Sequence, residues 1–542
     1  MRSFLQKMHA SSFVSRGIAL MMLAAFFCCG CTQTVTPVAR VDDEGDYVDE
    51  IIAKVDAGIE PADLYEQVYT TKRVVSIVLE GFTSEENMRA LADAAAEYDV
   101  PVVFFLSYVD ASDYPDTAKY IADQGCELGN YGLDGEKAMQ NDTAEKNARA
   151  FYQAQSAILL AAERTPSLFR CNGSEYTDEL LQVAAASGLQ AGVLPNTYLN
   201  HRSFSDYGNA LNYVRKLQRG SIISIKLGQE LDSDEYGDVG SELDEEPAID
   251  KEPTLTDENL FSDNDTYSNT LNVFVWLLQA LQEEEYDVVS LKSLMRSAQQ
   301  DTVVNTLTED ELAVYDGDNY TLPVTDESLG AEATDAVSDS YFDGAVFVGD
   351  SISLRLQTYV EAQREVEPEF FGTARFLTSQ GLGVGNALWQ ISDDSRHPEY
   401  DGTVMTIEDA IAAMGDVTHV YIMLGMNDIQ YYDTEEFINN YRTLIYLILS
   451  ESPDADICIQ SITPGIAGRT STPTNEDIFL YDLALAKLCA EYGYTYIDVA
   501  SALRDETGCL PETLCSDSSN LGLHLNESAV EIWIHYLRTH TS

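Results

Sequence analysis

The 542-residue sequence predicts an α/β protein whose parallel sheets are divided between at least two domains. Three observations lead there. The chain is longer than the roughly 250–300 residues that one core serves before chains divide. Hydrophobic residues make up 45% and aromatic residues 10%, enough to fill packed cores and too much for a disordered chain. Near-continuous apolar runs such as RVVSIVL (73–79) and VPVVFFLSYV (100–109) alternate with amphipathic runs such as SEENMRALADAAAEYD (84–99). Unbroken apolar strands between helices indicate a parallel sheet covered on both faces.

The first 31 residues read as an address. Arg2, Lys7 and Arg16 lie in an acid-free start, and GIALMMLAAFFCCG (17–30) follows. A positive segment before a short apolar segment is the pattern of an export signal. The apolar run is shorter than the 18 or so residues of a spanning helix. Gly30 directly before Cys31, with polar TQTVTPVAR after it, resembles a bacterial lipoprotein processing site. That resemblance implies a lipidated Cys31 and anchoring to the outer face of a bacterial cell membrane. Cys28 stands where the pattern usually has Leu, and a plain secretory signal is the alternative.

Residues 32–70 read as a polar tether carrying a short helix, DEIIAKVDAGI (49–59). Residues 71–300 read as the first domain, closed by a helix over 268–283 and the strand-like YDVVSL (286–291). Within it, 232–265 is densely acidic and reads as a solvated insertion; its carboxylates lack the regular spacing of a calcium loop. Residues 301–340, rich in Thr, Asp and Glu, read as a linker. From 341 to 542 the alternation resumes, with strands at GAVFVG, ARFLTS, VTHVYIMLG, ADICIQSI and YTYIDV separated by helical runs. That is the pattern of a three-layer α/β/α domain.

Composition narrows the partners. Against 31 basic residues stand 91 acidic ones, a formal charge of −60, which argues against nucleic acid because phosphate recognition needs a basic footprint. Export permits disulfides. Beyond the signal the cysteines are Cys126, Cys171, Cys458, Cys489, Cys509 and Cys515, and Cys509–Cys515 and Cys126–Cys171 are the candidate pairs. There is no CxxC and no Cys/His cluster of zinc spacing.

Four short elements of the second domain carry chemistry. Gly349-Asp350-Ser351 falls where its first strand gives way to a helix, the carboxyl edge of a parallel sheet at which ligands bind. Gly425-Met426-Asn427-Asp428 follows another apolar strand, placing a side-chain amide at a strand end. Gly381 in TSQGLGVGNAL follows a third strand, where a residue without Cβ lets its N–H approach a reacting carbonyl. His524 in LGLHLN precedes the last helix. Each alone reads equally as a cap or a packing residue.

In this order, the four resemble the SGNH/GDSL hydrolase family over about residues 340–542. The resemblance implies a flavodoxin-like fold and ester hydrolysis through an acyl-enzyme, with no cofactor. It makes Ser351 the nucleophile and His524 the general base, with Ser351 N–H, Gly381 N–H and the Asn427 amide as the oxyanion hole. Those roles agree with the chemistry, since a hydroxyl is inert until a base takes its proton. The family usually has an Asp three residues before the His; here that residue is Leu521. Asp517, seven residues upstream, becomes the candidate orienting acid if SSNL bulges; a Ser–His dyad helped by a backbone carbonyl is the alternative. Asp350 is expected to bond backbone at the helix start and Asp428 to order its own loop. Loop 462–475 is expected to edge the pocket.

Residues 73–300 resemble a NodB-type polysaccharide deacetylase, implying a distorted, partial (β/α) barrel. The likeness lies in SIVLEGF (76–82), CELGNYGLDG (126–135), FRCNG (169–173) and GSIISIKLG (220–228). Such enzymes hold a divalent metal with an Asp and two His. The matching positions here are Glu80, Tyr131 and Gly135, with Leu79 and Lys226 where a base Asp and a late His would stand. Residues 40–330 contain one histidine, His201, so metal-dependent deacetylation is not expected. Arg170 is retained and is open to a ligand contact or an internal ion pair.

The expected protein is a surface-anchored serine esterase acting on an acylated small molecule or carbohydrate. A non-catalytic glycan-binding lipoprotein with two degenerate domains is the alternative. Acyl transfer between carriers would use the same residues.

Overall fold

The computed structural model describes residues 44–228, 263–299, 330–469 and 471–541. The lipidation candidate Cys31 and nearly all of the acidic insertion lie outside them.

The first sheet contains β1 (Asp63–Tyr65), β2 (Val74–Glu80), β3 (Val102–Leu106), β4 (Glu127–Asn130), β5 (Leu168–Phe169), β6 (Ala191–Val193), β7 (Thr197–Leu199), β8 (Ile222–Lys226) and β9 (Asp287–Val288). Its order is β1-β6-β5-β4-β3-β2-β8-β7, with β9 beside β2, and every pairing is parallel. The sheet curls into a half-barrel. β2 and β3 are buried along their whole length, which explains their unbroken apolar sequence. The helix Glu85–Glu97 between them starts where the Ser84 hydroxyl accepts from the Asn87 N–H, and it turns Met88, Leu91 and Ala92 onto the sheet.

Two boundaries differ from expectation. The segment read as a tether is built into this domain from residue 44 onward. Helix Glu44–Asp56 buries Tyr47, Val48 and Ile51 against the helices Ala144–Ala162 and Asp178–Ala186, and β1 extends the sheet. Polar composition concealed one apolar stripe. The last part of the expected linker also docks: Val337 N–H donates to Arg538 O at 2.9 Å, and Arg538 pairs with Asp339 at 2.6 Å.

The second sheet follows β10 (Val346–Gly349), β11 (Arg375–Thr378), the small hairpin β12 (Glu399–Tyr400) and β13 (Thr403–Val404), β14 (His419–Met423), β15 (Asp456–Gln460) and β16 (Thr495–Ile497). The order β11-β10-β14-β15-β16 is parallel throughout. It is the 2-1-3-4-5 order of flavodoxin-like folds, with a topological switch between the first and third strands. Helices Thr434–Glu451, Asn475–Tyr492, Ser353–Arg364 and Glu527–Thr539 cover the sheet, and Trp533 is wholly buried among them.

The two domains touch through the segment between β7 and β8. Gln390 N–H donates to Arg215 O at 2.8 Å, and the nearly buried Arg219 faces Glu408 at 3.7 Å. All six described cysteines are free thiols, contrary to both candidate pairings. Cys126 and Cys171 belong to separate apolar clusters. Cys515 instead donates to Asp517 Oδ1 at 3.2 Å, and Cys509 accepts from the Asn475 amide at 3.2 Å. No helix among the described residues is long and apolar enough to cross a membrane.

Candidate active site

The switch point between β10 and β14 gathers the four elements singled out in the sequence. Ser351 follows β10 by two residues, just ahead of helix Ser353–Arg364. Gly349 is required there, since a Cβ would stand 2.0 Å from the Ser353 hydroxyl. His524 reaches back from the loop before the final helix, and its Nε2 lies 3.0 Å from Ser351 Oγ.

Asp517 completes the line: its Oδ2 lies 2.7 Å from His524 Nδ1. Its Oδ1 accepts from the Leu523 and His524 N–H groups, each at 3.0 Å. The SSNL insertion therefore bulges, and the chain folds back over the carboxylate. Burial alone would raise the Asp517 carboxyl; the imidazole, the Cys515 thiol and the two backbone donors outweigh it and hold it at about 2. The carboxylate is thus ionised at neutral pH. None of the described residues of loop 462–475 lines the cleft over Ser351; the loop braces the histidine loop, with Ile466 N–H on Gly522 O at 2.9 Å and Arg469 Nε on Leu521 O at 2.8 Å.

Gly381 has φ +73°, which sets it in the left-handed region. Its N–H donates to no acceptor among the described residues. Asn427 stands at the end of β14, and its Nδ2 donates to Leu382 O at 3.1 Å and to Asp350 Oδ2 at 3.2 Å. Asp350 also accepts from the Ile352 N–H at 2.8 Å, the backbone role expected of it. Its bond to Asn427 was not legible from spacing. Asp428 reaches across rather than ordering its own loop: it accepts from Val384 N–H at 2.9 Å and Gly385 N–H at 3.0 Å, pinning the Gly381 loop. Burial raises both carboxyls to about 6, with backbone donors opposing it.

A cleft of about 340 Å³ opens on Ser351 and His524, lined also by Arg355, Gln380 and Gly381. A larger cavity of about 670 Å³ continues from Gly381 and Asn427 into the gap between the domains. The arrangement brings together a hydroxyl, a hydrogen-bonded imidazole, a carboxylate behind it and unpaired backbone donors, the parts needed for acyl transfer.

In the first domain, Glu80 at the end of β2 is fully buried and meets Lys226 Nζ at 3.0 Å and Arg170 Nε at 2.9 Å. Ser224 and Tyr131 hydroxyls donate to it at 2.7 and 3.1 Å, and Lys226 also donates to Asn172 at 2.7 Å. Burial opposes its ionisation, but the two cations prevail and hold it at about 2. Of the two roles open to Arg170, the structure has the ion pair; the guanidinium is 2% exposed. Gly135 carries no ligand atom and lies against the Tyr131 ring, and Leu79 is core. The residues do not fit a divalent cation: two positive side chains already neutralise the one carboxylate. Among the described residues, no cluster of three or more His, Cys, Asp or Glu could hold a metal.

Comparison with known proteins follows the same division. Residues 347–532 match the GDSL-like lipase/acylhydrolase family, and residues 67–192 match the polysaccharide deacetylase family. No curated protein is significantly similar to the chain. Among solved structures, a CE4 family pseudoenzyme from Bacillus anthracis is 16% identical, with TM-score 0.33 over 45% of this chain and 73% of that one. A family 4 carbohydrate esterase from Streptomyces lividans is 17% identical, with TM-score 0.30 over 41% and 94%. Peptidoglycan deacetylase PdaC from Bacillus subtilis is 13% identical, with TM-score 0.30 over 42% and 91%. Residues 347–532 are thus similar to GDSL-like lipases and acylhydrolases, and residues 67–192 to polysaccharide deacetylases.

Proposed function

We propose that the protein is a serine esterase working through Ser351, His524 and Asp517. The observation that carries this reading is the continuous hydrogen-bonded line from Ser351 Oγ through the imidazole to Asp517. In the first step the Ser351 oxygen bonds to the acyl carbon and its proton passes to His524 Nε2. Collapse of the tetrahedral intermediate expels the alcohol, which takes that proton. Water then attacks the acyl-enzyme with His524 again as base, releasing the acid. Ser351 N–H and Gly381 N–H face the developing oxyanion. The Asn427 amide joins them by exchanging one of its two resting hydrogen bonds for the new one.

Hydrolysis of p-nitrophenyl acetate by the parent chain and its loss in Ser351→Ala test this reading. Labelling by a fluorophosphonate must map to Ser351. Labelling elsewhere, or unaltered activity in the variant, would overturn it. Against the rival reading, a non-catalytic glycan-binding lipoprotein, stands the bond from Asp517 Oδ2 to His524 Nδ1 at 2.7 Å.

The substrate we infer is an O-acylated carbohydrate, on the strength of the deacetylase-like partner domain. That domain we take to be inactive as a metal enzyme, since Glu80 is neutralised by Arg170 and Lys226. We further propose export and lipidation at Cys31. Labelled palmitate should enter the parent chain and not Cys31→Ser; equal labelling of both would reject the anchor.

A further inference from the structure

The larger cavity has walls from both domains, and the wall from the first domain is not the one its family resemblance points to. Glu80 and Lys226 lie at the carboxyl ends of β2 and β8. The cavity instead meets Asn196, Gln218 and Ser221, which stand ahead of β7 and β8, at the opposite edge of the sheet. There the side-chain amides form a ladder: Asn196 Nδ2 donates to Gln67 Oε1 at 2.9 Å, and Gln67 Nε2 donates to Gln218 Oε1 at 2.5 Å.

Across the gap stand Trp389 and Tyr431, the latter 43% exposed. Lys216 of the first domain lies 5.7 Å over the Trp389 ring. Gln380 and Gln430 also face the cavity, and their amides have no hydrogen-bond partner among the described residues. Gly381 and Asn427 also line the cavity, and Gln380 and Gly381 are shared with the cleft over Ser351 and His524, so the cavity adjoins the proposed reaction centre. At about 670 Å³ it falls within the roughly 300–1,000 Å³ range of ligand clefts.

Amides that both donate and accept, set around aromatic faces, suit a ligand that is densely hydroxylated and has apolar ring faces. An acyl chain would leave the Gln380 and Gln430 amides unsatisfied, which is costly. We propose that the interdomain cleft is the subsite for the alcohol side of the ester, an extended carbohydrate chain, and that the deacetylase-like domain serves the esterase by supplying one wall. The proposal rests on the esterase reading.

The test compares kcat/KM of the full chain on O-acetylated tetrasaccharides with that on the matching acetylated monosaccharides, using xylose, glucose and N-acetylglucosamine series. At least one tetrasaccharide should be preferred tenfold or more. Gln67→Ala and Trp389→Ala should each collapse that preference at least fivefold, mainly through KM. As a second measurement, the preferred tetrasaccharide added to Ser351→Ala should protect backbone amides around residues 64–68 and 196–200 from hydrogen exchange. No preference in any series, or protection confined to the second domain, overturns the proposal. Absence of Ser351-dependent p-nitrophenyl acetate hydrolysis would instead sink the esterase reading itself.

Discussion

Asp517 Oδ2 sits 2.7 Å from His524 Nδ1 although seven residues separate them, where the family pattern uses three. The insertion between them is held by Asp517 itself, whose other oxygen takes the Leu523 and His524 N–H groups. One carboxylate therefore fixes both the ring and the loop that carries it. Asp517→Asn would place an amide N–H where an acceptor is needed and favour the wrong tautomer. We expect kcat on p-nitrophenyl acetate to fall by about 10³–10⁴. A rate within twofold of the parent would show that a dyad suffices.

Asp428 bonds to the Gly381 loop from 44 residues away, and this gives a second expectation. Asn at 428 can accept from only one of the Val384 and Gly385 N–H groups. The Gly381 N–H would remain but lose its support, so kcat should drop by about tenfold to a hundredfold, short of the roughly 10²–10³ for losing a donor outright. The same variant tests linkage. Folded pKa values of about 6 for Asp350 and Asp428 exceed the ordinary 3.8, so the folded state holds more protons between about pH 4 and 6. Their contribution to stability falls as pH rises through that window. Asp517 acts in the opposite sense, losing its contribution as pH drops from about 4 to 2. Melting curves from pH 4 to 7 should decline less steeply in Asp428→Asn than in the parent; parallel declines would contradict the assignment.

Ser351, Gly381 and Asn427 were legible because each follows a strand, and a parallel sheet delivers strand ends to one edge; His524 was legible from its place ahead of the last helix. Asp517 was legible only as the nearest acid, since nothing in SSNL states which way a loop turns. The Asp350–Asn427 bond and the reach of Asp428 were not legible, because they join elements through the fold rather than along the chain. Helix Glu44–Asp56 was read as part of a tether because three buried residues, Tyr47, Val48 and Ile51, sit among acids. Motif offsets brought Glu80, Tyr131 and Lys226 together correctly, yet only geometry reveals that Lys226 occupies the carboxylate's second oxygen.

The thiols offer a check on the histidine loop. Cys515 is buried and donates to Asp517, while Cys509 is partly exposed. In the native protein Cys509 should react first with a maleimide, and non-reducing peptide maps should show Cys126, Cys171, Cys458, Cys489, Cys509 and Cys515 all unpaired. A Cys509–Cys515 peptide would refute this.

The buried Glu80 cluster makes the sharpest claim about the first domain. Removing its charge as Glu80→Gln takes the carboxylate away from the buried Arg170 and Lys226, 2% and 1% exposed. Breaking a buried pair from one side costs about 3–5 kcal/mol, so the urea midpoint of the first domain should fall sharply. Lys226→Met leaves Glu80 with Arg170, Ser224 and Tyr131 and should cost less. A metal site predicts otherwise: zinc would raise the melting temperature of the parent, and Glu80→Gln would abolish that rise. With the cationic side chains already in place, we expect zinc to leave the parent's melting temperature unchanged; a rise that Glu80→Gln removes would restore the metal to this domain.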